Sequence, residues 1–138
     1  MLFGRRERTI KRILIVEDEP LIAFDNEHFL RDAGYDIVGT VDTVPAAIAG
    51  IAAGADLVLA DVNLSDGGNG RDVAHAAREH NVPLVFVTGA CPEDARTLAV
   101  GCLAKPYGQR DLLGVIDTIE AKLGGRTPRR VPRSFTLF

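Results

Sequence analysis

The chain has 138 residues and a mass of 14.8 kDa, a size typical of one domain rather than of a two-domain enzyme. Apolar residues make up 46% of it and charged residues 25%, proportions that exclude a disordered or fibrous chain. No apolar run approaches the ~20 residues that a membrane-spanning helix needs, and the first 12 residues lack the apolar stretch of a signal peptide. We therefore expect a cytoplasmic protein with no membrane insertion.

The net charge of −3 is unevenly distributed along the chain. Residues 1–12 and 124–138 each carry four net positive charges, which leaves −11 on the part between them. We expect residues 1–10 to be a basic N-terminal tail, 11–123 the folded domain, and 124–138 a basic, proline-containing C-terminal tail. Prolines and glycines after residue 123 argue against regular structure there. The acidic domain predicts a carboxylate-rich site, and no nucleic-acid partner is expected.

Five short apolar runs are typical of buried strands. They occupy residues 13–16, 37–41, 57–60, 84–87 and 102–104. Helical periodicity separates them, and Pro20, Pro45 and Pro92 stand where first helical turns should begin. The chain is too short for an eight-unit barrel of roughly 250 residues. The fold class is therefore α/β, with an open, doubly wound, five-stranded parallel sheet of strand order 2-1-3-4-5.

Polar side chains follow four of these runs, at the edge where the carboxyl ends of parallel strands meet and ligands collect. In chain order they are Glu17, Asp18, Glu19, Asp61, Thr88 and Lys105. Carboxylates gathered at one edge of the sheet repel each other. A hard cation such as Mg²⁺ relieves that repulsion, and Glu17, Asp18 and Asp61 are suitable ligands for it.

Asp61 follows the central strand and is the predicted nucleophile toward a phosphoryl group. The cation and Lys105 would offset charge on the transferring oxygens, while Thr88 would donate a hydroxyl hydrogen bond to the new aspartyl phosphate. The catalytic candidates are therefore Asp61, Lys105 and Thr88.

With these residues in this order, the sequence resembles a response-regulator receiver domain of two-component signalling over residues 11–123. The resemblance implies a CheY-like, flavodoxin-like fold and phosphoryl transfer from a sensor histidine kinase or phosphotransfer protein. It implies Mg²⁺ bound by Asp18, Asp61 and the backbone carbonyl of Asn63, with Glu17 acting partly through water. It also implies a cis bond between Lys105 and Pro106.

The sequence departs from the usual pattern of that family in two places. Cys102 stands where an aromatic residue is usual, three positions before the lysine. The span from Thr88 to Lys105 is short, so the fourth helix, near residues 92–100, must be short or loosely held. These traits, with Phe86-Val87-Thr88-Gly89-Ala90, are similar to the single-domain FAT GUY subgroup, although the match is partial.

Cys91 and Cys102 lack metal-ligand companions, and two free thiols are expected, which suits a reducing compartment. Burial of Cys102 as a small hydrophobe is favoured over a role in redox sensing. His28, His75 and His80 share no metal-binding spacing and are expected on helix surfaces or at helix boundaries.

These observations predict a stand-alone receiver that catalyses only its own phosphorylation and dephosphorylation. It would signal to an unknown downstream protein or act as a phosphate sink, as a monomer or weak homodimer. One alternative is a pseudo-receiver that binds partners without phosphorylation. Another is a small phosphohydrolase, although Asn63 stands where a second aspartate would be expected.

Overall fold

A computed structural model describes residues 8–138, and residues 1–7 lie outside the described part. The strands are β1 (Arg12–Val16), β2 (Asp36–Val41), β3 (Leu57–Ala60), β4 (Leu84–Thr88), β5 (Gly101–Ala104) and β6 (Phe135–Leu137). The helices are α1 (Pro20–Asp32), α2 (Val44–Ala52), α3 (Gly70–Glu79), α4 (Ala95–Leu98) and α5 (Gln109–Leu123). Every predicted βα unit is present.

All the strands lie in one sheet of order β2-β1-β3-β4-β5-β6. The first five are parallel to their neighbours, which confirms the predicted α/β class and the order 2-1-3-4-5. The sheet has six strands rather than five, because β6 pairs antiparallel with β5.

The helix boundaries follow the local chemistry of the sequence. Pro20 occupies the first turn of α1, and the Thr43 hydroxyl caps α2 by accepting a hydrogen bond from the Ala46 amide at 3.3 Å. The fourth helix is short, as predicted, and begins at Ala95 rather than near Pro92.

Two apolar clusters cover the faces of the sheet. On one face α2, α3 and α4 pack through small side chains, including Ala47, Ala74 and Ala95. On the other face α1 and α5 bury Leu30, Ile116 and other aliphatic side chains. Helices cover both faces, as a parallel sheet requires, so a polar ligand can reach the sheet only at the ends of the strands.

The prediction that regular structure ends at residue 123 is wrong. Phe135 is only 5% exposed and packs into the α1/α5 face, and backbone hydrogen bonds join the Ala104 amide to Ser134 O and the Phe138 amide to Val100 O. Gly101 makes room for Phe135, since a Cβ at that position would collide with the Phe135 ring. The C-terminal segment therefore covers the edge of β5, which the five-stranded sheet would leave unpaired.

The described end of the N-terminal segment is also docked on the domain. Ile10 is fully buried, and its amide and that of Thr9 donate to the Glu120 carboxylate at 2.9 and 3.0 Å. Most of the predicted basic tail lies in residues 1–7, outside the described part. The remaining predicted domain boundaries stay predictions.

The prediction of two free thiols is wrong. A disulfide joins Cys91, in the β4–α4 loop, to Cys102 in β5. The sequence separation of 11 residues gave no indication of this contact, which arises because β4 and β5 are neighbours and the connection between them is short. Among residues 8–138, no helix has the length and apolar character needed to cross a bilayer.

Candidate functional site

Backbone hydrogen bonds align the strand ends that carry the predicted site residues. The Asp61 amide donates to Val16 O at 2.9 Å, which sets the end of β3 beside the end of β1. The Lys105 amide donates to Thr88 O at 2.8 Å and aligns β5 with β4 in the same way. Residues from different parts of the sequence therefore meet at one mouth of the sheet.

Carboxylates dominate this mouth. One carboxylate oxygen from each of four residues lies within 4.8 Å of the others, and the residues are Glu17, Asp18, Glu19 and Asp61. The structure thus brings together the three predicted acidic ligands and adds Glu19. The sequence places Glu19 directly after the predicted pair, but its side chain also suits a position before a helix, so spacing alone did not distinguish the two roles.

Lys105 is the cation that faces these acids. Its Nζ lies 3.0 Å from Glu17 Oε1, 3.0 Å from Asp61 Oδ2 and 3.4 Å from Glu19 Oε1. Burial opposes the charge of Lys105, but the hydrogen bonds to Glu17 and Asp61 outweigh burial and raise its pKa. The ammonium group therefore stays charged and bridges two buried carboxylates.

Glu17 is the most deeply buried acid of the cluster at 5% exposure. Burial raises its pKa, while hydrogen bonds from Lys105 and from the Glu19 amide, at 3.2 Å, favour the charged form without cancelling the effect of burial. A further cation beside Glu17 would therefore favour its charged form.

Asp61 is buried directly after β3. Its Oδ2 accepts a hydrogen bond from Lys105 Nζ, and its Oδ1 accepts one from the Val62 amide at 2.7 Å. The first residue of α3, Gly70, packs against the backbone of Asp61 and donates its amide to Val62 O at 2.6 Å. A Cβ at Gly70 would collide with Asp61 O. Sequence reasoning missed this contact, because it treated the glycines after Asn63 only as loop residues.

Thr88 and Asn63 complete the set of predicted site residues. Thr88 is buried at the end of β4, and its hydroxyl donates to Ala90 O at 3.4 Å. Asn63 is exposed and bridges to Asn69 across the β3–α3 loop, so the role of its carbonyl stays a prediction. The Lys105–Pro106 bond is cis, as the resemblance implied.

The donor set fits a divalent oxygen-seeking cation. The cluster holds four carboxylates, and Lys105 Nζ lies within 3.4 Å of three of them, so the acidic groups outnumber the cation that neutralises them. Hard cations such as Mg²⁺ take carboxylate oxygens, carbonyls and water. None of His28, His75 and His80 joins the cluster; two of them bond to carbonyls of their own helices or helix ends.

Comparisons with known proteins identify the family of this chain. The profile of the family described as "Response regulator receiver domain" matches residues 13–117. The phyllosphere-induced regulator PhyR of Methylorubrum extorquens is 36% identical over 111 residues, a match that covers 75% of this chain and 41% of PhyR. The chain thus spans less than half the length of that relative.

Solved structures extend the comparison to the fold. SdrG from Sphingomonas melonis Fr1 is 38% identical, with a TM-score of 0.66, and the match covers 78% of this chain and 93% of SdrG. A CheY-like receiver domain protein from Methanospirillum hungatei is 26% identical, with a TM-score of 0.75, and the match covers 84% and 98% of the two chains. The chain belongs to the response regulator receiver domain family, the signalling domains of two-component systems.

Proposed function

We propose that this receiver accepts a phosphoryl group on Asp61 from the phosphohistidine of a sensor histidine kinase or phosphotransfer protein. One observation carries the proposal. Asp61 is a buried carboxylate held 3.0 Å from the Lys105 ammonium, within a set of four carboxylates at the ends of two neighbouring strands. Such a site pairs a nucleophile with positive charge for the incoming phosphoryl oxygens.

The transfer is a displacement at phosphorus. An Asp61 oxygen bonds to phosphorus while the phosphorus–nitrogen bond of the donor breaks, and the imidazole keeps the electron pair. Lys105 offsets negative charge on the phosphoryl oxygens. The Thr88 hydroxyl donates to Ala90 O in this structure, and it would rotate to donate to one of those phosphoryl oxygens.

A divalent cation belongs to this proposal. Glu17, Asp18 and Asp61, with the carbonyl of Asn63, would hold Mg²⁺, and Glu19 is an added candidate from the same cluster. When bound, the ion would supply positive charge that stabilises the phosphoryl group during transfer. Burial raises the pKa of Glu17, so added positive charge beside it would favour its charged form.

The surface beside the mouth supports docking of a protein donor. An open groove of about 810 Å³ is lined by residues of α1 and by Lys105, Pro106 and Tyr107. Leu21 and Phe24, also on α1, are 79% and 58% exposed. Exposed apolar side chains next to a charged site suit a protein partner.

We place the activity in the cytoplasm, where a phosphohistidine donor would be made from ATP. The output would be protein contacts with a downstream partner or removal of phosphate from a shared kinase. The chain would act as a monomer or weak homodimer, and similarity to the FAT GUY subgroup is part of the same proposal.

Incubation with acetyl phosphate and Mg²⁺ tests the phosphoacceptor. A phosphoryl adduct that hydroxylamine removes should form on the wild type and be absent from Asp61→Asn. Asp66→Asn is the matched control, since Asp66 is an exposed acid in the following loop and its loss should leave the adduct. Absence of an adduct with acetyl phosphate and with a phosphohistidine protein would contradict the proposal and favour the pseudo-receiver.

A further inference from the structure

The Cys91–Cys102 disulfide ties an exposed loop to the buried centre of the sheet. Cys91 is exposed in the β4–α4 loop, whereas Cys102 is 1% exposed in β5, opposite Phe86 of β4. Cys91 is therefore the half of the disulfide nearer to solvent, and Cys102 lies in the apolar core. An attacking thiolate would meet the Cys91 sulfur first and expel that of Cys102.

Few other contacts hold the segment that the disulfide closes. Ala95 is its only buried residue between positions 89 and 99, and α4 has four residues. Its polar tethers are the Arg71–Asp94 ion pair, at 3.0 Å, and a hydrogen bond from Arg78 to Thr97 O, at 2.7 Å. Leu98 and Ala99 also pack on the core, and Arg96 lies over the Phe138 ring, 5.2 Å from its centroid. These contacts lie at α4 and after it, and exposed ion pairs contribute little, so the disulfide is the principal restraint on the loop before α4.

The restrained segment begins at the functional site. Thr88 is the last residue of β4, and its hydroxyl donates to Ala90 O, one residue before Cys91. The position of residues 89–91 therefore determines whether that hydroxyl is held by the loop or is free for another acceptor.

We propose that Cys91 and Cys102 form a reversible redox site, opened by a protein dithiol and closed by a hydroperoxide, and that opening it releases the β4–α4 segment and the Thr88 hydroxyl. In reducing compartments, disulfides are commonly transient or redox-sensing. The effect on Thr88 rests on the proposed phosphoacceptor function, whereas the thiol chemistry and the release of the segment do not.

The reductive step is thiol–disulfide exchange. A thiolate of the dithiol bonds to Cys91 Sγ, the bond between the cysteines breaks, and Cys102 leaves as a thiolate that takes a proton. The second thiol of the reductant then attacks the mixed disulfide and releases Cys91, so the reductant leaves as a disulfide. Two electrons pass to the protein.

The oxidative step returns those electrons to the peroxide. The Cys91 thiolate takes the terminal oxygen of the hydroperoxide as the oxygen–oxygen bond breaks, which gives a sulfenic acid and an alcohol, or water from hydrogen peroxide. Cys102 then bonds to the Cys91 sulfur, and the hydroxyl group leaves as water with the proton of the Cys102 thiol.

Thiol labelling of the folded protein tests the chemistry. The protein is treated with dithiothreitol without denaturant, and the reaction is quenched in acid. The protein is then unfolded and alkylated with iodoacetamide, and mass spectrometry counts the alkylated cysteines. We expect no alkylation before treatment, two alkylated cysteines after it, and none again after hydrogen peroxide. A bond that opens only in denaturant, or thiols that peroxide does not rejoin, would overturn the proposal.

Hydrogen exchange tests the release of the segment without any phosphoryl chemistry. The amides of Ala95, Thr97 and Ala99 donate hydrogen bonds within this segment, and reduction should speed their exchange by about tenfold or more. Exchange in α2 should not change. Cys91→Ser should match the reduced protein, whereas Ala90→Ser, its matched control, should match the oxidised wild type. Equal exchange in both redox states overturns the release.

The lifetime of the phosphorylated form tests the link to Thr88. Reduction frees the hydroxyl to hold the phosphoryl group, so we expect loss of phosphate to slow by about fivefold, the effect of one added hydrogen bond. Cys91→Ser should be slow with or without dithiothreitol. An equal or shorter lifetime after reduction overturns the link. If neither redox state forms an adduct, the proposed function fails, and labelling and exchange still decide the redox site.

Discussion

The contacts at the two ends of β5 differ in how well the local sequence predicts them. At its carboxyl end Lys105 meets Glu17 and Asp61, each of which directly follows a strand. At its amino end Gly101 lies against Phe135, from a segment that the sequence pattern marks as irregular. In a parallel sheet, the residues directly after the strands meet at one edge, so local sequence predicts the site. The pairing of β6 with β5 depends instead on a contact between residues far apart in the chain, Gly101 and Phe135.

The largest expected effect concerns the covered edge. Phe135→Ala removes a ring that is only 5% exposed, and we expect the free energy of unfolding to fall by about 3 kcal/mol, as for other buried aromatics. Urea denaturation measures it. Thr136→Ala, on the exposed side of the same strand, is the matched control and should change the value by less than about 0.5 kcal/mol. Equal effects would mean that β6 is not docked through Phe135.

The next effect concerns the acidic mouth. If the four carboxylates bind Mg²⁺, a concentration ten times the dissociation constant should raise the free energy of unfolding by about 1.4 kcal/mol. Thermal denaturation with and without MgCl₂ measures the rise, which Asp18→Asn should reduce. Asp36→Asn removes the same charge at the amino end of β2 and should leave the rise intact. A rise of equal size in both variants would show nonspecific binding.

The charge of Lys105 predicts a pH dependence at the same mouth. Its pKa is raised above the ordinary 10.5, so its stabilising contribution is complete below that pH and is lost as the pH rises further. Above about pH 10.5 the stability advantage of wild type over Lys105→Met should shrink by at most ~1.4 kcal/mol per pH unit. Urea denaturation between about pH 8 and 11 checks this; an advantage that shrinks below pH 9 would contradict it.

The smallest effect concerns the contact between α5 and the C-terminal segment. Alanine in mid-helix normally stabilises by about 1 kcal/mol relative to glycine, but a Cβ at Gly114 would lie 2.6 Å from Pro132 Cγ. Gly114→Ala should therefore give no gain in the wild type and a gain of about 1 kcal/mol in a Pro132→Ala background. Additive effects in that double-mutant cycle would mean that the two residues are not in contact.

The success and failure of sequence reasoning reflect this contrast. The strands, their order and the convergence of Asp61 and Lys105 were predictable, because each depends on a run of apolar residues and on the polar residue directly after that run. The pairing of β6 with β5 was not, since three residues among prolines and arginines carry no strand pattern of their own. The disulfide was missed for a related reason: spacing along the chain does not report that Cys91 folds back over β5.

The central claim is that Asp61 is the phosphoacceptor, and chemical mapping of the adduct tests it most directly. Borohydride reduces an acyl phosphate to an alcohol, so a phosphorylated aspartate becomes homoserine. After treatment with acetyl phosphate, Mg²⁺ and borohydride, peptide mass spectrometry should find homoserine at position 61 and aspartate at position 66. Conversion at another acid, with residue 61 unchanged, would contradict the account.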